Sequence, residues 1–161
     1  MNPWTNFFVV AAGASATLAG LVFVALSVNI SRILQFSHLP ARAAGTMGAL
    51  ILILVCSLAT LVPQPRLALG IEILVFGLGG WWLKIFSARH QLTAEAKYQR
   101  PKIETLLEIG GGQLQVLPFI AGGIILMSRH PLGLYLVAGG CIAIFICSVA
   151  SAWILLVEIL R

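Results

Sequence analysis

Long apolar runs alternate with short polar breaks along the chain, and five of the runs reach membrane-spanning length. The first, Asn6 to Ile30, reads NFFVVAAGASATLAGLVFVALSVNI and holds no charged residue. As a helix it extends about 37 Å, at about 1.5 Å per residue, enough to cross a hydrocarbon core of about 30 Å. Within it, Asn6, Val10, Gly13, Thr17, Gly20, Val24, Ser27 and, just beyond, Ser31 recur at alternating spacings of four and three, which places them on one helical face. That face is small and polar in a helix otherwise made of Phe, Leu, Val and Ala. It is expected to meet protein or a water-filled path rather than lipid.

After the link SRILQFSHLPAR, whose Pro40 suits a first helical turn, a second helix is expected from about Ala41 to Val62. Pro63, Gln64, Pro65 and Arg66 end it, since neither proline can donate to the helical ladder. So short a connector makes an antiparallel pair with the third helix, about Leu67 to Phe86. Trp81 and Trp82, followed by Lys84 and Arg89, have the pattern of an interfacial aromatic belt with basic anchors. The polar stretch Ser87 to Glu108 reads as a helical elbow, with Pro101 starting a new helix. The fourth apolar run, Ile109 to Ser128, carries Gly110, Gly111, Gly112 and a central Pro118, which invite a bend or break. The last helix runs from about Leu132 to Leu160.

These elements predict a single all-α integral membrane bundle of five transmembrane helices. The alternative is four spans with the fourth run re-entrant. Of the ten Lys and Arg residues, eight fall on one side and only Arg66 and Arg129 on the other. The positive-inside rule then puts the N-terminus outside and the C-terminus in the cytoplasm. The re-entrant alternative keeps the same ratio, so charge does not separate the two topologies.

Composition agrees: 60% of residues are hydrophobic and 9% charged, against about 25% charged in soluble domains. The net charge of +5 would point to nucleic acid in a soluble protein. Here the charges sit at helix ends, where anionic lipid and orientation account for them, and no nucleic-acid partner is expected. Cys56, Cys141 and Cys147 lie in apolar runs without metal-ligand spacing, so neither a disulfide nor a metal is expected. The N-terminus, MNPWTNFF, lacks the basic region of a cleaved signal, so the first helix is expected to stay in the mature protein.

Few polar residues lie at membrane depth. Glu72, about one turn inside the third helix, is a candidate cation or proton site; the plainer alternative is a carboxylate reaching water or pairing with Arg66 or Arg129. Glu108, Gln113 and Gln115, beside three glycines, form a second candidate, since exposed carbonyls in a broken helix coordinate ions. Its alternative is a tight helix crossing. The seam of Asn6, Gly13, Thr17, Gly20 and Ser27 suits either a pore lining or a small-residue packing face, and a homo-oligomer can use it as both. No enzyme motif is present, His38, His90 and His130 all lie near helix ends, and no cofactor is expected.

The stretch GASATLAGLVFVALSVNISRIL followed by LPARA, with VPQP and GIEILV beyond it, resembles an uncharacterised family of small bacterial multi-pass membrane proteins. The resemblance covers roughly the first half of the chain and implies the bacterial inner membrane. Some members of that family are labelled modulators of a membrane-bound AAA protease. SATLAGLVFVA is also similar to the pore helix of Orai calcium channels, which shares Ser15, Ala16, Leu18, Gly20, Val24 and Ala25. The acidic filter position of that family falls at Val28 and the expected direction through the membrane is opposite, so calcium selectivity is not implied. The expected function is a small homo-oligomeric channel or transporter for ions or small solutes. The alternative is an accessory or modulator subunit of a larger membrane complex.

Overall fold

A computed structural model describes residues 3–28, 30, 39–95, 110–128 and 130–160, with side chains described there except at 39, 41, 42, 90–95, 152 and 154–160. Among these residues the secondary structure is helical: α1 (Thr5–Val28), α2 (Leu39–Leu61), α3 (Arg66–Glu95), α4 (Leu117–Met127) and α5 (Leu132–Leu160). A helical turn at 110–114 precedes α4, and the two make up the apolar span Gly110–Met127. Five spans among the described residues are long and apolar enough to cross a bilayer. Helices satisfy their own backbone hydrogen bonds, as a chain surrounded by lipid requires. The protein is an all-α multi-pass membrane bundle.

The element ends follow from local chemistry. Pro63 and Pro65 fall in the break between α2 and α3, as expected. The Pro65 carbonyl then accepts from Leu69 N at 3.1 Å and opens α3. The bend expected at Pro118 is a break in the ladder at 115–116. Pro118 has no N–H for the carbonyl four residues back, but it costs nothing in the first turn of α4, where it sits. α3 runs unbroken through Glu95, so the helical continuation expected after Phe86 is part of the same helix. Ser31, Pro101, Glu108, Arg129 and the rest of the elbow beyond Glu95 lie outside the described residues.

α2, α3, α4 and α5 close into a ring, with α2 also carrying α1 on its outer side. The core runs through the ring, with Phe119, Ile53, Ile73, Val137 and Ile144 fully buried. α4 is the tightest element. A Cβ at Gly122 would lie 2.9 Å from the Gly133 oxygen on α5, and one at Gly123 would lie 2.8 Å from Leu74 N on α3. Outward, Leu21, Phe23, Val75, Leu78, Ile142 and Ile146 are exposed, an apolar surface that suits lipid rather than water. Tyr135 and Trp153 are exposed on α5, about 27 Å apart at about 1.5 Å per residue, close to the thickness of a hydrocarbon core.

Candidate functional site

α1 is attached to the bundle by one face. Phe8, Ala11, Ala12, Ser15 and Val22 are its buried residues. At its N-terminal end, Trp4 meets Tyr135 of α5 edge-on at 4.6 Å and also contacts Phe7 and Phe8. Asn6, Val10, Gly13, Thr17, Gly20, Val24 and Ser27 are all exposed. A Cβ added at Gly13 or Gly20 would meet no other part of the protomer within 4 Å among the described residues. The small, polar seam thus looks away from its own protomer, and the helix that carries it is the outermost of the five. Two hydroxyls on the seam are satisfied within the helix: Thr17 Oγ1 donates to the Gly13 carbonyl at 2.9 Å and Ser27 Oγ to the Phe23 carbonyl at 2.8 Å.

Glu72 lies on α3 and is half-buried. Gln64 Nε2 donates to Glu72 Oε2 at 2.8 Å and to the Ala59 carbonyl at 3.0 Å. The second bond has a clear origin. In a continuing helix the Ala59 carbonyl would receive the N–H of residue 63, but residue 63 is proline. The Gln64 amide supplies the missing donor and spends its other N–H on the carboxylate, which joins the end of α2 to α3. Sequence reasoning read Gln64 only as part of a helix stop. The signal was available: an amide next to a proline that strips a donor from the preceding turn. Arg129, the other proposed partner of Glu72, lies outside the described residues.

The group at the entrance to α4 is only partly assembled among the described residues, since Glu108 lies outside them. Gln115 N donates to the Gly111 carbonyl at 3.3 Å and Val116 N to the Gln113 carbonyl at 3.2 Å, which turns the chain at the break. Gln113 Oε1 is buried with no hydrogen-bond partner among the described residues. Gly110 and Gly111 are exposed, and a Cβ on either would meet nothing within 4 Å among the described residues. Gly112 instead faces Lys84 of α3. Glu72 and Gln113 lie at opposite ends of the bundle, so the structure holds two separate candidate sites and not one.

Among the described residues no three His, Cys, Asp or Glu side chains cluster as a metal site would need. Comparison of the chain with known protein families, with characterised proteins and with solved structures returns no match.

Proposed function

We propose that this membrane protein is a small homo-oligomeric channel or transporter for ions or small solutes, in which the seams of α1 from several copies face one another. The observation that carries the reading is the exposure of Asn6, Gly13, Thr17, Gly20 and Ser27 on the side of α1 turned away from its own bundle. Glycine and hydroxyl groups gain nothing against acyl chains, whereas glycine lets a second helix approach closely and a hydroxyl can face water. Glu72, held at the α2–α3 loop, would set the charge at the mouth on that side. Basic residues concentrate at the opposite side, which supports an N-out, C-in orientation, and the family resemblance supports the bacterial inner membrane.

A second reading, an accessory or modulator subunit docked on a larger membrane complex such as a membrane-bound protease, draws on one specific observation. Thr17 and Ser27 already bond to their own helix, so the seam can lie against a dry protein surface without stranding a polar group.

Ion flux through purified protein in liposomes separates the two, with potassium, sodium, calcium, chloride and protons compared. The channel reading expects selective flux that is lost in Gly20→Leu. That substitution is clean, because no other part of the protomer among the described residues lies within 4 Å of a Cβ at Gly20. Absence of flux for every ion from folded, inserted protein, together with co-purification of one unrelated partner, would establish the accessory role instead.

A further inference from the structure

The end of α2 gathers negative charge. Its last turn holds no basic residue, and the carbonyl end of a helix carries about half an elementary negative charge. Two prolines add to the effect. Pro63 withholds the helical donor of the Ala59 carbonyl, and Pro65 withholds that of the Leu61 carbonyl. Gln64 Nε2 serves the Ala59 carbonyl at 3.0 Å and, with its other N–H, Glu72 Oε2 at 2.8 Å. A carboxylate of α3 is thereby held beside the negative end of α2, and the group that joins them is a neutral amide.

Glu72 also lies inside the apolar span. It is the seventh residue of α3, about 9 Å along the helix from Arg66. Ile71 and Val75 beside it, and Leu58 and Val62 at the end of α2, are exposed apolar side chains that suit lipid. A carboxylate at that depth is costly unless positive charge accompanies it. Carboxylates and the carbonyl ends of interrupted helices are the groups that hold alkali-metal ions in membranes, and Glu72 is only half-buried, so a small ion can reach it. We propose that one sodium or potassium ion binds between the Glu72 carboxylate and the carbonyl end of α2. One positive charge neutralises one carboxylate. A divalent ion would leave a net charge there, and among the described residues no cluster of acidic ligands gathers to hold one. A role for the bound ion in transport rests on the channel reading; its binding does not.

Unfolding of the full chain in detergent tests the assignment, with sodium, potassium and choline chloride exchanged at constant ionic strength. An ion that binds only the folded protein raises the unfolding midpoint, so sodium or potassium should raise it over choline. Calorimetric titration should give one ion per chain. Glu72→Gln, which keeps an acceptor for Gln64, should weaken binding more than about tenfold, because the full charge of the carboxylate is gone. Glu158→Gln, which removes a carboxylate elsewhere in the chain, should leave binding unchanged. Equal midpoints in the three salts, or a metal response that survives Glu72→Gln, would overturn the proposal. A midpoint that follows pH but not the metal ion would also overturn it and make Glu72 a proton site. If Glu72→Gln does not fold, the unsubstituted chain decides: sodium or potassium, but not choline, should slow labelling of Glu72 by a hydrophobic carbodiimide, and equal labelling in all three salts would overturn the assignment. Flux in liposomes separates this site from the channel reading. Metal binding without flux keeps the site and removes the channel, whereas flux without metal binding does the reverse.

Discussion

Gly123→Ala places one methyl group where α3 and α4 lie backbone against backbone. The two glycines at the crossing face each other: a Cβ at Gly70 would be 2.8 Å from the Gly123 oxygen, and one at Gly123 would be 3.0 Å from the Gly70 oxygen and 2.8 Å from Leu74 N. Those neighbours are backbone atoms and cannot swing aside, so the helices must separate by roughly 0.7 Å to restore ordinary contact. A gap of that size forfeits about a quarter to a half of the ~0.1–0.2 kcal/mol in each atom pair, or about 1–2 kcal/mol over some twenty to thirty pairs. Alanine's helix preference returns about 1 kcal/mol, leaving a net loss of up to about 1 kcal/mol. Gly20→Ala, which meets no neighbour among the described residues, should gain about 0.5–1 kcal/mol in the isolated protomer. The assay is reversible unfolding by SDS in mixed micelles, followed by tryptophan fluorescence with the protein dilute enough to be monomeric. Equal midpoints for Gly123→Ala and Gly20→Ala would refute the distinction between packed and open glycines.

Four further outcomes follow from the contacts and burial of particular side chains. Gln64→Leu leaves both the Ala59 carbonyl and Glu72 without their donor and should cost about 1–3 kcal/mol in the same assay, whereas Glu72→Gln keeps an acceptor for Gln64 and should cost less than about 1 kcal/mol. If Glu72 also sets charge at a mouth, Glu72→Gln should change ion selectivity in liposomes at nearly unchanged stability. A double-mutant cycle of Trp4→Ala and Tyr135→Ala should give a coupling of about 1 kcal/mol from the edge-on rings, and additive losses would show that α1 is not fastened to α5 there. A membrane-permeant maleimide should label Cys147 in the native protein and reach Cys56 and Cys141 only in SDS, because those two are fully buried.

The helices were legible because apolar length and proline placement are local signals. Pro63 and Pro65 marked a stop and Pro118 a break, and each acts through a missing N–H that needs no tertiary knowledge. The roles of the glycines were not legible. Gly13 and Gly20 are open while Gly70, Gly122, Gly123, Gly133 and Gly140 are pressed against neighbours, yet all sit in similar apolar surroundings in sequence. Only the partner helix decides. Periodicity groups the seam residues of α1, but it does not say whether they turn into their own bundle or away from it. A partner for Glu72 was sought among cations, the usual compensation for an intramembrane carboxylate, and the hydrogen bond from an amide already recruited to repair a proline break was not foreseen.

The length of α3 has a mechanical consequence. Its 30 residues make a rod of about 45 Å, and the part beyond Trp82 projects about 20 Å past the indole level. Because the helix is unbroken through Glu95, its outer portion is a lever whose fulcrum lies among the packed glycines. A change of about 10° in tilt about Gly70, well within the range that membrane helices adopt, would swing its tip, about 37 Å away, by roughly 6–7 Å. Any small adjustment where Gly70 meets Gly123 is thereby delivered, enlarged, to whatever touches the far end of the rod.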